Sequence, residues 1–383
     1  MYRPLLFFYI MLITNPVFAQ RTEVTRVEWA EIARLEDRNG KPSLGFAGAV
    51  NAVDNHVLIV AGGANFPDKK PWDGGKKQYS KEIHVLQRAG KNFVWNKNNV
   101  AHLTEPIAYC GNTSTPVGIV YAGGENDKGL SSKAYLLNWD AVMNQVLIKQ
   151  LPDLPVALTN ISLTSMGNVV YAVGGDGKQE SSASFFSLDL DDDHPKWLTL
   201  PELPVALANA VVVAQNAGIY VIGGRSKTAS GISELRNSTF FYNPYKKSWK
   251  SCAVISDGKN TMNFSAGAGV AIDDHFILIT GGDDGKVFHQ IEQYILQIAQ
   301  AKTEEEKSRL IETKNKLSIH HKGFYRGMLL YHALENTWTK IGEIPFAAQV
   351  TTTATRWDGN IILSSGEVKP GVRTAAIRSG RIE

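Results

Sequence analysis

Six spaced apolar runs, five of them ending in a glycine pair, predict an all-β chain folded as a six-bladed β-propeller of the kelch type. Successive pairs lie 61, 51, 49 and 58 residues apart, which is close to the length of one four-stranded kelch blade. The sixth run, IILSSGE, keeps only Gly366. The pairs are Gly62-Gly63, Gly123-Gly124, Gly174-Gly175, Gly223-Gly224 and Gly281-Gly282.

The chain begins with a segment typical of an export signal. Arg3 precedes an apolar stretch from Leu5 to Ile13, and Val17-Phe18-Ala19 places small residues where a signal peptidase cleaves. The apolar stretch is too short to span a membrane. We expect residues 1–19 to be a signal peptide and residues 20–383 to form the propeller of the exported protein.

The composition indicates a globular protein with a small net charge. Hydrophobic residues make up 43% of the 383-residue chain, and the formal net charge is +3. This balance argues against nucleic acid as a partner, and no later apolar run has the length of a membrane span. The sequence does not indicate an oligomeric state.

The two ends of the chain are expected to share the sixth blade. Tryptophans mark the outer strands of other units, as in the runs Tyr242–Trp249 and Tyr331–Trp338, and would fill the wedge between neighbouring sheets. The last unit has room for only one strand after Gly366 and contains no tryptophan there. Trp29 supplies one, so a strand near 26–32 should pair with the C-terminal strands within 360–382.

A polar segment interrupts the fifth unit at about 286–322. Apolar residues recur at helical spacing from Phe288 to Ile298. Thr303 and Glu306 then form a capping-box pattern that opens a second helix, to about Lys316. We therefore predict a helical insertion in the fifth blade, which either shields the ring or covers one face as a lid.

Residues that follow the glycine pairs should cluster around the axis on one face, because the same strand ends there in every up-and-down blade. They are Ala64, Glu125, Asp176, Arg225, Asp283 and Glu367. The loops between blades add Phe46, Asn160, Asn209, Asn263 and Gln349 near the inner strands. A polar mouth of this kind suits a ligand, although the carboxylates have an alternative role in bonding loop amides. The candidate substrate-binding residues are Arg225, Asn160, Asn209, Glu125 and Phe46.

The sixth copy differs most in its loop, where Pro370 and Gly371 place a turn between Glu367 and Arg373. The two side chains either form a simple salt bridge, which contributes little when exposed, or act together at the axis. The guanidinium is expected to lower the pKa of Glu367 and keep it ionised as a proton acceptor.

Other kinds of chemistry have weak sequence signals. The carboxylates lack the spacing of a calcium loop, and His320-His321 alone is poor support for zinc, so no metal is expected. Nothing resembles a nucleophile elbow or a phosphate-binding loop. Cys110 and Cys252 lie in different units, which favours free thiols over a disulfide.

Several segments together resemble the bacterial N-acetylneuraminate epimerases, also called sialic acid mutarotases. The resemblance extends over essentially the whole chain after the leader, and GEVKPGVRT is its most specific motif. In the best-known members this motif is mid-chain, so the sequence is similar to a cyclically permuted branch, which a ring with adjacent termini tolerates. The segments are GFAGAV (45–50), LIVAGGANF (58–66), YSKEIHVL (79–86), the helical insertion and GEVKPGVRT (366–374).

The resemblance implies a periplasmic enzyme without a cofactor that interconverts the α and β anomers of free sialic acid. The proton acceptor of the family corresponds to Glu367, and its partner arginine corresponds to Arg373. We expect Arg373, with Arg225, to grip the carboxylate of the sugar. The alternatives are a propeller that binds or modifies another acidic sugar and a kelch scaffold without catalysis.

Overall fold

Six four-stranded antiparallel sheets form the ring of blades in the computed structural model, which describes residues 24–37 and 39–383. This confirms the predicted six-bladed propeller. The predicted signal peptide, residues 1–19, lies outside the described residues, and no structural statement is made about it.

The chain starts with β1 (Val27–Arg34) and then builds the blades in sequence order. The first three blades, with the short hairpins that follow their second strands, have the following bounds. Blade 1 comprises β2 (Val50–Asp54), β3 (Val57–Ala61), the hairpin β4 (Ala64–Asn65) and β5 (Gln78–Tyr79), β6 (Ile83–Ala89) and β7 (Asn92–Trp95). Blade 2 comprises β8 (Gly111–Thr115), β9 (Gly118–Ala122), the hairpin β10 (Glu125–Asn126) and β11 (Gly129–Leu130), β12 (Ala134–Asp140) and β13 (Gln145–Leu151). Blade 3 comprises β14 (Ser162–Met166), β15 (Val169–Val173), β16 (Phe185–Asp189) and β17 (Leu198–Thr199).

The remaining blades follow the same order, and the fifth carries the two helices. Blade 4 comprises β18 (Val211–Gln215), β19 (Gly218–Ile222), the hairpin β20 (Arg225–Ser226) and β21 (Glu234–Leu235), β22 (Thr239–Asn243) and β23 (Ser248–Ser251). Blade 5 comprises β24 (Ala268–Ile272), β25 (Phe276–Thr280), the helices α1 (Lys286–Gln300) and α2 (Glu304–Ile319), β26 (Gly327–His332) and β27 (Thr337–Glu343). Blade 6 comprises β28 (Ala354–Trp357), β29 (Asn360–Ser364), the hairpin β30 (Glu367–Lys369) and β31 (Val372–Arg373), β32 (Ala376–Ile382) and β1.

The ring closes through a strand from each end of the chain. β1 is the outer strand of blade 6 and pairs antiparallel with β32, from Val27 opposite Ile382 to Arg34 opposite Ala376. Blade 6 therefore also has four strands: its outer strand comes from the start of the chain and its other three strands come from the end.

Apolar side chains fill the six seams between neighbouring blades. Each seam contains its own cluster of buried residues. Several outer-strand tryptophans also donate an indole N–H to a backbone carbonyl at the outer strand of the preceding blade or just after it. These bonds are Trp95 to Arg34 (2.7 Å), Trp197 to Pro152 (2.8 Å), Trp249 to Pro201 (2.9 Å) and Trp338 to Ala253 (3.1 Å). A buried indole needs such a partner, so each tryptophan both fills a seam and joins two blades.

A closed ring of six backbone hydrogen bonds surrounds the axis, with one residue from each blade. Each N–H donates to the carbonyl of the equivalent residue in the preceding blade, at 2.8–3.0 Å. All six residues have positive φ, between 52° and 65°, although five are not glycine. They are Gly48, Tyr109, Asn160, Asn209, Ala266 and Thr351.

The two helices leave blade 5 and pack over the face that carries the short hairpins. Thr303 caps α2 by accepting the Glu306 N–H at 3.1 Å. Glu292 of α1 accepts the backbone N–H of Ser233 at 2.8 Å and its hydroxyl at 2.7 Å, so α1 is joined to blade 4. Asn315 of α2 lies 3.4 Å from the Trp72 carbonyl of blade 1. In the described part of the chain, no helix combines the length and apolar character that crossing a membrane requires.

Candidate functional site

The residues that follow the glycine pairs occupy equivalent places in all six blades. Each forms an isolated antiparallel bridge with a residue of the loop leading into its own blade's inner strand. The bridged pairs are Ala64 with Ala47, Glu125 with Ala108, Asp176 with Thr159, Arg225 with Ala208, Asp283 with Ser265 and Glu367 with Val350. The glycines are needed because both positions have positive φ. In the sixth copy Ser365 takes the first of them with φ 58°.

Glu367 and Arg373 face each other across the β30–β31 hairpin. Nη1 of Arg373 lies 3.0 Å from Oε1 of Glu367, and the backbone N–H of Gly371 donates to the same oxygen at 2.5 Å. The side chain of Arg373 is 5% exposed and that of Glu367 is 17% exposed. The Arg373 guanidinium and the Gly371 N–H therefore fix one oxygen of the carboxylate, while part of the side chain stays accessible.

The guanidinium of Arg373 lies in a cage formed by blades 1 and 2. Its carbon is 4.8 Å from the centre of the Phe66 ring, and Nε lies 3.4 Å from the Ala64 carbonyl. Burial raises the pKa of the nearby Tyr109, and the positive charges of Arg373 and Lys77 act to lower it. The guanidinium is thus buried and already bonded to Glu367. These contacts favour a role in positioning Glu367, and the grip of Arg373 on a substrate carboxylate stays a prediction.

Burial raises the pKa of Glu367 above its ordinary value, against the opposing effects of Arg373 and of the Gly371 N–H. The expectation of a lowered pKa is therefore wrong, because removal from water penalises the charged carboxylate more than its neighbours stabilise it. A raised pKa makes a carboxylate a stronger base near neutral pH.

Glu367 borders a cavity of about 290 Å³ beneath the helices. Apolar side chains from the helical segment and from blade 4 form much of its wall: Leu235, Phe288, Ile291 and Phe324. Polar side chains enter from the ring, namely Asn209, Arg225, Asp283 and Glu367, and His321 enters from the segment just after α2. The cavity thus combines one apolar wall with a few convergent polar groups, as ligand sites commonly do.

A second cavity, of about 520 Å³, adjoins the first at Arg225, which lines both. Its lining is more polar and includes Tyr79, Glu125, Asn160, Asp176 and Lys227. The mouth of the ring therefore has an apolar chamber beside Glu367 and a polar chamber beside Glu125, with Arg225 between them.

Asp176 fixes the position of Arg225. Nη2 of Arg225 lies 2.5 Å from Oδ2 of Asp176, and Nη1 lies 3.4 Å from Oδ1. Asn160 donates to Oδ2 at 2.9 Å, and the Ser181 hydroxyl donates to Oδ1 at 2.8 Å. These bonds use two of the five N–H groups of the guanidinium. The side chain of Arg225, which is 14% exposed, borders both chambers.

Glu125 belongs to a third, half-buried ion pair, which includes residues that the sequence analysis did not identify. Lys77 lies 2.7 Å from Oε1 of Glu125, and the Tyr79 hydroxyl donates to that oxygen at 2.8 Å. Burial opposes ionisation of Glu125, but Lys77 and Tyr79 hold its pKa below the ordinary value. Burial raises the pKa of Tyr79 to about 12. Lys77 and Tyr79 lie on either side of Gln78 at the start of β5, and this spacing of two was the available signal, because such residues share one face of an extended segment.

Phe46, a candidate from the sequence, is not among the residues that line either chamber. It is 7% exposed and packs in the seam between blades 6 and 1. The residue of this blade that corresponds to Asn160 and Asn209 in the axial ring is Gly48. Phe46 is two positions earlier, where the side chain points into the seam.

Two further features concern metals and thiols. Within residues 24–37 and 39–383, no group of three or more His, Cys, Asp or Glu side chains could hold a metal ion. Cys110 and Cys252 are free thiols.

Comparisons with known proteins match most of the chain. A family model for N-acetylneuraminate epimerase (NANM) matches residues 151–383, which excludes blade 1 and most of blade 2. An N-acetylneuraminate epimerase of Salmonella typhimurium is 29% identical over 230 residues, 59% of this chain and 57% of the relative. One from Brucella melitensis is 25% identical over 227 residues, 58% of this chain and 56% of the relative. The chain thus spans somewhat more than half the length of these relatives.

The solved structure of YjhT has the same fold. It superposes with a TM-score of 0.59 at 15% identity and covers 87% of this chain and 94% of that one. At this identity the likeness supports the propeller architecture alone.

Proposed function

The chain belongs to the N-acetylneuraminate epimerase family, and we propose that it interconverts the α and β anomers of free N-acetylneuraminate by opening and reclosing the sugar ring. The observation that supports this most directly is the carboxylate of Glu367, held at 3.0 Å by Arg373 on the wall of a cavity under the helices. We further propose that the protein acts in the periplasm after export.

Glu367 is proposed as the base of the reaction. Its ionised carboxylate removes the proton from the anomeric hydroxyl, and the bond between the anomeric carbon and the ring oxygen breaks as that oxygen takes up a proton. The open-chain ketone rotates about its carbon–carbon bond and recloses on its other face by the reverse steps. One positioned base contributes roughly 10²–10⁴-fold to such a rate.

Arg225 is proposed to bind the carboxylate that the sugar carries on its anomeric carbon. Asp176 holds the guanidinium in place, and the N–H groups that Asp176 does not use can donate to a second planar anion. Arg225 and Glu367 line the same cavity, which supports an anion bound by Arg225 lying near Glu367. The apolar wall at Phe288 and Ile291 then suits the N-acetyl methyl group, while the polar chamber suits the hydroxylated side chain.

Proton NMR of freshly released α-N-acetylneuraminate tests the proposal. Wild-type protein should accelerate conversion to the β anomer, and Glu367→Gln, which keeps the size of the side chain, should lower kcat by roughly 10²–10⁴-fold. Thermal unfolding of the variant checks that it still folds. The function is refuted if wild-type protein gives no acceleration, whereas full activity of Glu367→Gln removes only the base assignment.

A further inference from the structure

We propose that Asp283 is the group that protonates the ring oxygen, acting from blade 5 while Glu367 acts from blade 6. This inference rests on the function proposed above and assigns the second proton-transfer group of that reaction. It is carried by the position of Asp283 in the Glu367 cavity and by its difference from the other carboxylates of the ring.

Asp283 occupies the ring place in blade 5 that Glu367 occupies in blade 6, and both side chains line the same cavity. A second contact fixes its orientation, because the Gly285 N–H donates to Oδ1 at 2.7 Å. An oxygen that accepts an N–H is a poor place for the acid proton, so the proton belongs on Oδ2. The carboxyl group is thus held with one oxygen anchored and the other able to donate.

Asp283 also lacks the cation that each other ring carboxylate has. Glu125 is 2.7 Å from Lys77, Asp176 is 2.5 Å from Arg225, and Glu367 is 3.0 Å from Arg373. Over the residues that the structure describes, Asp283 has no ion pair within 4.0 Å; its assigned hydrogen bond comes from a backbone N–H. A buried carboxylate without a cation retains its proton more readily than its paired counterparts.

The titratable groups around Asp283 do not replace the cation that it lacks. Burial raises its pKa and Asp284 adds to the rise, while the Gly285 N–H, His321 and His289 oppose it. Burial and Lys369 hold the pKa of His321 below its ordinary value. Nδ1 of His321 accepts the Gly323 N–H at 3.0 Å, so the neutral ring carries its proton on Nε2. His321 therefore offers Asp283 little positive charge at neutral pH.

Glu367 and Asp283 then form a base and an acid on one cavity. Burial raises the pKa of both carboxylates, but only Glu367 has a guanidinium that opposes the rise, at 3.0 Å. Unequal environments of this kind separate the base from the acid. In ring opening, Glu367 takes the proton of the anomeric hydroxyl as Oδ2 of Asp283 gives its proton to the ring oxygen. Reclosure returns both protons, so no cofactor or co-reactant is consumed.

Asp283→Asn tests the assignment, because the amide keeps the size of the side chain and can still accept the Gly285 N–H. We expect kcat for mutarotation to fall roughly 10²–10⁴-fold and the decline of kcat at alkaline pH, caused by loss of the Asp283 proton, to disappear. Asp284→Asn is the matched control. The neighbouring carboxylate pairs with Lys286 at 2.8 Å and is not among the residues that line the Glu367 cavity, so its maximal kcat should match wild type. Its alkaline limb should persist and move slightly to lower pH, because Asp284 no longer raises the pKa of Asp283.

The outcomes separate this inference from the proposed function. Absence of wild-type activity refutes the function, whereas active wild type with an Asp283→Asn variant of unchanged kcat and alkaline limb refutes the acid assignment alone. If thermal unfolding shows that Asp283→Asn does not fold, Asp283→Glu decides, since it keeps an acid at this place. Its alkaline limb should move relative to wild type, and an unmoved limb refutes the assignment.

Discussion

Arg373 and Arg225 differ in what their guanidinium groups face. Arg373 is enclosed by Phe66 and the Ala64 carbonyl and bonds to Glu367, whereas Arg225 borders both chambers. We therefore propose that Arg373 acts on the proposed base, Glu367, and that Arg225 acts on the ligand.

Replacing each arginine with lysine should separate these roles, because lysine keeps the charge but lacks the planar fork. Arg373→Lys should lower kcat about tenfold or more and move the acidic limb of kcat to higher pH, since Glu367 loses a bond to its ionised form. Arg225→Lys should raise KM about tenfold with a smaller effect on kcat, by loss of a bidentate contact of about 1.4 kcal/mol. Steady-state kinetics by NMR across pH measure both, and the reverse pattern would contradict the division.

The position of a residue relative to a glycine pair decides whether the sequence alone could place it in the ring. The glycine pairs are local marks of one strand end, so Glu367, Arg225 and Asp283 could be assigned to one face without coordinates. Phe46 was misplaced because the loop between blades lacks such a mark, and a shift of two residues moved the prediction from the axis into a seam. Tyr109 could not be found because its left-handed φ of 57° and its place beside Arg373 come from the closed ring.

The helical insertion is the element that turns an open mouth into a cavity. Helix α1 supplies Phe288 and Ile291 to the wall, and its attachment to blade 4 is the pair of bonds between Glu292 and Ser233. Helical periodicity and the Thr303 cap predicted both helices. Their attachment could not be predicted, because it depends on contacts between segments about 60 residues apart in the chain.

Glu292→Ala should loosen α1 and raise KM with little change in kcat. Hydrogen bonds to a charged group contribute about 1.5–3 kcal/mol, so their loss is expected to raise KM about tenfold or more by displacing the apolar wall. Glu312→Ala is the control, because that exposed α2 carboxylate only pairs with the exposed Lys316, and such pairs contribute about 0–1 kcal/mol. A KM equal to that of wild type in Glu292→Ala would show that the wall does not depend on this attachment.

Two sets of contacts stabilise the whole ring, one at its outer rim and one at its axis. At the outside, strand β1 joins β32 and tryptophans join successive blades. At the axis, six backbone hydrogen bonds close on themselves, and every blade must place one residue at positive φ to contribute. The sequence predicted the outer closure from a missing tryptophan strand, but the axial ring involves residues as different as Gly48, Tyr109 and Thr351 and leaves no shared sequence signal.

Gly48→Ala should destabilise the whole molecule through this ring. A Cβ there would lie 2.5 Å from the Tyr109 backbone nitrogen, and a non-glycine residue at positive φ costs about 1–2 kcal/mol besides. Together these effects should lower Tm by roughly 2–5 °C, as measured by calorimetry. Ala266→Gly is the matched control, since it occupies the same ring place in blade 5 with φ 59° and adds no atom. Relief of its backbone strain should leave Tm unchanged or higher. Equal losses in the two variants would mean that flexibility, and not crowding at the axis, limits the stability of the ring.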